Sequence, residues 1–173
     1  NLISHEGKGT ILSELRRRRW CTALNCDHVK YANGFGFFEI KVDLTDDGFT
    51  HIDDIVKLIF QYIKLIRVSG IQQWIYEEQS RLSEIEFAFE DERHAMSLVS
   101  RIASCMRHYP MREILSGGIL MEEFDPELIN FILNMLTVEN LRILIVDQTS
   151  YYKCNLTEEI FKTKYGCEKV SSS

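Results

Sequence analysis

Residues 38–44 read Phe-Glu-Ile-Lys-Val-Asp-Leu, an alternation of apolar and charged side chains with a period of two. Because successive side chains of a strand point to opposite faces of a sheet, this period predicts a β-strand with one buried face. The stretch Cys21–Val29 is less regular, and the segment that follows it ends on the turn-favouring pair Asn33-Gly34. We therefore expect the two stretches to fold back on each other as an antiparallel pair.

Helical periodicity flanks this pair on both sides. Downstream, from about Asp47, one apolar stripe at helical spacing predicts a helix that ends at Ser69-Gly70, with the members Ile52, Ile55, Val56, Ile59, Ile63 and Ile66. Upstream, Thr10 is a capping residue for a helix that starts near it. The run Arg16–Arg19 is interpreted as the solvated end of that helix, because cations suit a helix's last turn.

The rest of the chain is predicted to contain three more helices, a strand and a short final helix. The second long helix runs from Ile71 to about Glu92 and has an apolar face of Trp74, Ile75, Leu82, Ile85 and Phe89. The other elements are a helix from His94 to about His108 that ends before Pro110, a helix capped by Asp125-Pro126, a central strand at Leu141–Val146 covered on both faces, and a helix near Glu158–Tyr165.

This order of elements, strands followed by helices and then a returning strand, predicts an α+β fold with a largely antiparallel sheet backed by helices. The chain of 173 residues has the size of one ordinary domain and contains no internal repeat or linker. We therefore predict a single domain over residues 1–166 and a tail over residues 167–173.

Composition excludes several classes of protein. A hydrophobic content of 45% and a charged content of 27% are globular values. The net charge of −6 gives no electrostatic attraction to phosphates, and no apolar run is long enough to span a bilayer, so we expect neither nucleic acid nor a membrane as partner. The five cysteines are odd in number and lack a C-x-x-C pair, which favours reduced thiols and a cytoplasmic location.

No catalytic metal motif is present in the sequence. His5-Glu6 begins like H-E-x-x-H but has Gly9 in place of the second histidine, and His51 has Asp54 where H-x-x-E-H requires glutamate. We therefore predict no catalytic residue and no metal ligand in this chain. A cysteine-dependent enzyme stays open, because spacing alone does not exclude a cysteine nucleophile.

The opening stretch Asn1–Leu15 resembles the sequence L-I-G-H-E-G-x-G-S-L-L-S-x-L, typical of the insulin-degrading enzyme and nardilysin group of pitrilysin-type zinc peptidases. The resemblance extends to Tyr165-Gly166 and includes the stretches Gly34–Phe38, Glu39–Gly48, Ile59–Ile63, His108–Pro110, Glu113–Leu115 and Glu122–Ile129.

The resemblance implies a metallopeptidase α/β roll that is the second of four domains enclosing a peptide-degrading chamber. It implies that zinc belongs to the first domain of a full-length parent, so that no cofactor is expected in this chain. It also implies a further strand upstream of Asn1, which makes this chain a piece of a longer protein and self-association into a homo-oligomer an expected consequence.

The resemblance further implies an exosite, which anchors the N-terminus of a peptide substrate away from the zinc. Its matching positions are Ser4 and Glu6 in the opening turn and Leu24, Asn25 and Cys26 in the strand, with Ser4 and Cys26 standing where the family has glycines. The expected function is that of a non-catalytic substrate-binding domain of a zinc metalloendopeptidase, with peptides and the parent's remaining domains, or a homologous chain, as partners. The alternative is a stand-alone inactive module that partners or restrains an active homologue.

Overall fold

The computed structural model describes residues 2–32, 34–90, 94–121, 123–148 and 154–170. The chain divides into two compact units, residues 1–134 and 135–173. Compactness alone does not say which segments fold independently, so the single domain over residues 1–166 with a tail at residues 167–173 stays a prediction.

Helix α1, Ile11–Arg17, begins at the predicted cap and ends in the predicted arginine run. The Thr10 hydroxyl accepts a hydrogen bond from the Ser13 amide at 3.4 Å, which satisfies one free amide of the first turn. At the other end, the Glu14 carboxylate pairs with Arg17 at 2.8 Å and with Arg18 at 2.7 Å. The cap and the solvated basic end are both confirmed.

The predicted antiparallel pair is formed by β1, Cys21–Ala32, and β2, Phe35–Leu44. Asn33 of the predicted turn lies outside the described residues, and Gly34 has a φ of +75°, a left-handed conformation that glycine adopts without strain. The register shifts at both ends of β1, between Cys21 and Ala23 and between Lys30 and Ala32. The regular pairing of the ladder is therefore interrupted at both ends of β1.

The helix predicted from about Asp47 is split into α2, Asp46–Phe49, and α3, Ile52–Ser69. The Thr45 hydroxyl accepts from the Gly48 amide at 3.0 Å and so starts the short α2. Gly48 meets the hairpin closely, because a Cβ on it would lie 1.9 Å from the carbonyl oxygen of Trp20. The predicted end of α3 is confirmed, since Gly70 follows it with a φ of +72°.

The core of the first unit lies between α1, the hairpin and α3. Its buried apolar side chains come from the opening turn, α1, the start of β1 and the inner stripe of α3, and they are Ile3, Ile11, Leu12, Leu15, Trp20, Cys21, Leu24, Ile55 and Ile63. The hairpin is therefore held at its base by the core while its far end extends from it.

Three helices complete the first unit: α4, Gln73–Ala88, α5, Ala95–Cys105, and α6, Pro126–Met135, whose last residue starts the second unit. The predicted cap of α6 is confirmed, because the Asp125 carboxylate accepts from the Leu128 amide at 2.9 Å. The second long helix ends at Ala88, with Phe89 as its C-cap, earlier than its predicted end at about Glu92, a residue that lies outside the described ranges.

The prediction that α4 buries its apolar face is wrong. Four of its members are exposed, and the side chain that α4 buries is Ser83; the exposed members are Trp74, Leu82, Ile85 and Phe89. The hydroxyl of Ser80, on the Ser83 side of the helix, donates to the carbonyl of Met121. The side of α4 that faces the segment at Met121 is therefore formed by small polar side chains, Ser80 and Ser83.

The second unit departs from two sequence predictions. The stretch Leu141–Val146 is not a strand, and Leu144 and Val146 are 88% and 89% exposed. The prediction was wrong because an apolar run becomes a central strand only where other strands pair with it, and in the described part of this unit none does.

The helix predicted near Glu158–Tyr165 is also wrong. The segment forms a small antiparallel hairpin of β3, Leu156–Thr157, and β4, Lys164–Tyr165. The Glu158 carboxylate accepts from the amides of Ile160 and Phe161, both at 2.6 Å, and this side-chain bonding holds a turn in place of a helix. No helix in the described ranges is both long and apolar enough to cross a membrane.

Candidate functional site

The opening turn is tied to α1 and to the core. Ile3 is buried, and the Thr10 hydroxyl donates to the Gly7 carbonyl at 2.8 Å. The His5 imidazole folds over Gly7, so that a Cβ there would lie 2.9 Å from Nε2 of His5. The turn therefore has a defined shape, and it presents the residues between Ile3 and Gly7 at one place on the molecule.

Ser4 and Cys26, two of the predicted site residues, are brought together by the fold. Burial raises the pKa of the Cys26 thiol, and a hydrogen bond from the Ser4 hydroxyl opposes that rise. The Ser4 hydroxyl therefore lies close to the Cys26 thiol, so part of the opening turn is near the middle of β1.

Leu24 and Asn25 directly precede Cys26 on β1, and their side chains lie on opposite faces of the strand. Leu24 is buried and pairs in register with Val42, whereas Asn25 is exposed and pairs with Lys41. Because side chains alternate along a strand, Leu24 and Cys26 share the core face and Asn25 points away from it. Leu24 anchors the strand, and Asn25 is accessible.

Glu6 is exposed and, within the part of the chain that the structure describes, no hydrogen bond or ion pair engages its carboxylate. It lies two residues after Ser4 in the same opening turn. No described contact joins Glu6 to β1. Its carboxylate is therefore available to a ligand.

The edge of β1 that faces away from β2 carries no other described strand. Near its start the edge is closed, because the Arg16 guanidinium donates to the Thr22 carbonyl from Nε at 3.2 Å and from Nη2 at 3.0 Å. From Leu24 onward the main-chain groups of this edge have no partner strand among the described residues. Such an edge is a template for an added strand.

A cluster of aromatic rings at the far end of the hairpin was missed by sequence reasoning, although the stretch Gly34–Phe38 holds part of it. The ring of Phe37 lies 5.6 Å from that of Tyr31 and 5.1 Å from that of Phe35, both in edge-to-face geometry. The Tyr31 hydroxyl donates to the Glu39 carboxylate at 3.1 Å. The signal was available only as aromatic content, because the register shift near Tyr31 does not show in the sequence.

The residues present do not fit a zinc ion. No group of three or more histidine, cysteine, aspartate or glutamate side chains in the described ranges could hold a metal. His51 has a structural place instead, stacked on the Trp20 ring with centroids 4.6 Å apart and an angle of 18° between the planes.

The cysteines give little support to a cysteine-dependent enzyme. No disulfide joins the five cysteines, all of which the structure describes. Burial raises the pKa of the Cys21 thiol as it does that of Cys26. A nucleophilic cysteine needs the opposite shift, toward thiolate at neutral pH, so the direction of the pKa shift at these two thiols does not favour a catalytic role.

Comparison with known protein families gives a match for each part of the chain. The family described as "Peptidase M16 inactive domain" matches residues 1–82, and the family described as "Middle or third domain of peptidase_M16" matches residues 87–173.

Individual relatives agree with these matches. The chain is 44% identical to insulin-degrading enzyme of Drosophila melanogaster over 171 residues and 39% identical to that of Homo sapiens over 170 residues. It is 31% identical to nardilysin of Homo sapiens over 176 residues. These alignments cover 98% or more of the chain. The chain spans 17% of the length of the two insulin-degrading enzymes and 15% of the length of nardilysin.

The fold is also found in a solved structure. The crystal structure of pitrilysin superimposes on 80% of this chain with a TM-score of 0.76 and 25% sequence identity, and the match covers 15% of the pitrilysin chain. The mixed fold of a small antiparallel sheet with helices, the inactive-domain match and the relatives agree, and the chain belongs to the M16 peptidase family.

Proposed function

We propose that this chain is a non-catalytic substrate-binding part of a larger M16 zinc peptidase that degrades peptides. In this proposal the Glu6 carboxylate takes the N-terminal ammonium of a peptide, and the edge of β1 from Leu24 to Cys26 takes the peptide's main chain. The observation that supports the proposal most is the exposed Glu6 carboxylate, on a turn whose Ser4 hydroxyl is close enough to the Cys26 thiol to influence its pKa, together with a β1 edge that carries no other described strand.

The chemistry of each partner fits this role. A carboxylate and an α-ammonium form a charge-assisted hydrogen bond. An open strand edge offers alternating amide and carbonyl groups, which pair with any extended peptide irrespective of its side chains. The side chain of Cys26 does not block this pairing, because strand side chains stand roughly perpendicular to the sheet and the pairing groups lie in its plane.

The expected affinity is weak, and most of it comes from the main chain. An exposed ion pair contributes about 0–1 kcal/mol. Acetylation of the peptide's amine should therefore weaken binding measurably but by no more than about 5-fold, the equivalent of 1 kcal/mol.

The test is calorimetric titration of the 173-residue chain with two short extended peptides that differ only in acetylation of the amine. Glu6→Gln should remove the difference between the two peptides, and the control Glu86→Gln, an exposed carboxylate on α4, should preserve it. Equal binding of free and acetylated peptides by the unaltered chain would refute the role of Glu6. NMR shifts confined to residues outside the opening turn and β1 would refute the site as a whole.

A further inference from the structure

The aromatic cluster at the hairpin tip, Tyr31, Phe35 and Phe37, is a large apolar surface in an exposed place. Tyr31 is 61% exposed and Phe35 is 52% exposed, yet the three rings contact each other with centroids 5.1 to 6.3 Å apart. Exposed aromatic side chains arranged as a cluster are typical of recognition surfaces, because they offer contact area with few rotatable bonds.

The cluster is held in place by polar bonds on the same face of the hairpin. The Tyr31 hydroxyl donates to Glu39, whose carboxylate lies 3.3 Å from the Lys41 ammonium. Lys41 in turn lies 3.8 Å from the Asp27 carboxylate on the neighbouring strand. This network sets the direction of the Tyr31 ring, so little conformational freedom is left for a ligand to remove.

A peptide on the edge of β1 is guided to this cluster. Arg16 occupies the Thr22 carbonyl, so a peptide whose N-terminal residues pair with the edge at Leu24–Cys26 can continue along the open edge only in the direction of Tyr31. The peptide then runs parallel to β1. Tyr31 lies about 17 Å along the strand from Cys26, which an extended chain covers in about five residues.

The alternation of side chains along β1 shows on which face of the hairpin the aromatic cluster lies. Asp27, Val29 and Tyr31 alternate with Cys26 and His28, and the contacts of Tyr31 with Phe37 and Glu39 place it on the face opposite to Cys26. A peptide side chain beside Tyr31 therefore contacts the rings only if it points to that same face. A shift by one residue turns it to the other face.

We propose that the hairpin tip is a second recognition point on the same peptide, which takes an aromatic or large aliphatic side chain about six residues from the anchored amine. This inference rests on the proposed function, because it needs a peptide on the edge of β1. It adds a substrate class: peptides with a large apolar side chain at a set distance from a free N-terminus.

The test uses the 173-residue chain and a set of peptides with a free amine, composed of alanine, serine and threonine, in which one phenylalanine is moved from position four to position seven. One position should bind about 3- to 10-fold more tightly than the peptide without phenylalanine, the gain typical of a single aromatic contact, and both neighbouring positions should show no gain. Tyr31→Ala and Phe35→Ala should each reduce that gain. The control Phe161→Ala removes an exposed ring from β3–β4 and should leave it unchanged.

Two results overturn the inference: a gain that does not depend on the position of phenylalanine, and a gain that survives in the Tyr31→Ala, Phe35→Ala double variant. Chemical-shift mapping on the unaltered chain gives a check that needs no variant, since the phenylalanine peptide should move the ring signals of Tyr31 and Phe35. The acetylated peptides separate the two proposals. If acetylation weakens binding and phenylalanine has no effect, only the tip is refuted, whereas a phenylalanine gain without any acetylation effect refutes the amine-anchored peptide on which both rest.

Discussion

Two regions of the first unit use similar apolar residues in different ways. In residues 2–70, here the N-terminal half, apolar side chains from the turn, α1, β1 and α3 close on each other. In residues 71–134, here the helical half, the buried apolar residues are Ile114 and Leu133, while the side chains of α4, α5 and α6 include many exposed ones. The comparison teaches that amphipathic helices alone do not make a core, because a core also needs a surface on which each stripe can pack.

Helix caps occur in both halves. In the N-terminal half, α1 and α2 start with a threonine cap and α3 begins without a side-chain cap. In the helical half, Asp125 caps α6, and α4 and α5 begin without a side-chain cap. The halves therefore differ in packing more than in capping, and we expect the N-terminal half to carry most of the chain's stability.

The largest expected effect tests this difference with one substitution in each half. Leu15→Ala removes a side chain that is 0% exposed, and we expect it to lower the free energy of unfolding by about 3 kcal/mol, since it leaves a cavity in the core. Leu82→Ala removes a side chain of the same type that is 53% exposed on α4, and we expect a change of less than about 0.5 kcal/mol. Urea unfolding followed by circular dichroism measures both. Equal losses would show that the helical half buries its stripe in solution.

The next effect concerns the contact between α2 and the hairpin. A Cβ on Gly48 would lie 1.9 Å from the backbone oxygen of Trp20, so Gly48→Ala must move backbone and should cost about 2 kcal/mol or more. Gly118→Ala is the matched control in the helical half, because its Cβ would meet only the Tyr109 hydroxyl at 3.9 Å. The same unfolding measurement applies, and a neutral Gly48→Ala would mean that α2 does not sit against Trp20.

Sequence reasoning succeeded where the signal is local. The alternation in residues 38–44, the stripe of α3 and the Asp125-Pro126 cap each depend on neighbours within a few residues, and the structure confirms all three. It failed where the outcome depends on distant partners. The stripe of α4 and the apolar run at Leu141–Val146 were both read correctly as apolar, but nothing in the sequence says which surface, if any, lies against them.

The candidate site shows the same division. The resemblance supplied the positions of Ser4 and Cys26, but the bond between their side chains depends on how the turn folds onto the strand. The closure of the edge by Arg16 was missed, because the arginine run had an adequate explanation as a helix end and its hydrogen bonds to the Thr22 carbonyl depend on how α1 lies against β1.

A third prediction compares cysteines in the two halves. Cys26 and Cys105, at the end of α5, are both partly covered. Burial raises the pKa of Cys26, so its reactive thiolate should be scarce at neutral pH. We expect iodoacetamide to modify Cys26 roughly 10-fold more slowly than Cys105 in the native chain, as followed by peptide mass spectrometry. The rate at Cys26 should rise with pH, and Ser4→Ala, which removes the bond that favours the thiolate, should slow it further. Two results together would contradict a protected Cys26: equal modification rates of Cys26 and Cys105 in the native chain, and a similar rise of both rates when urea unfolds the chain.

The smallest effect lies on the surface of the N-terminal half, at the basic end of α1. Hydrogen bonds from Arg17 and Arg18 lower the pKa of Glu14 to about 2 from its usual 4.5. Because the folded-state pKa is depressed, the carboxylate stabilises the fold above about pH 4.5, and this contribution is lost as the pH falls through about 2. The group is exposed, so the effect should be small and should decrease in high salt.

The denaturation midpoint of Glu14→Gln should therefore lie slightly below that of the unaltered chain at pH 7 and converge with it toward pH 2. In a background that carries Arg17→Gln and Arg18→Gln, the change in denaturation midpoint caused by Glu14→Gln should be the same at every pH, because the partners that depress the pKa of Glu14 are gone. A difference that stays constant with pH in the unaltered background would show that these ion pairs contribute nothing to the stability of the half that holds the core.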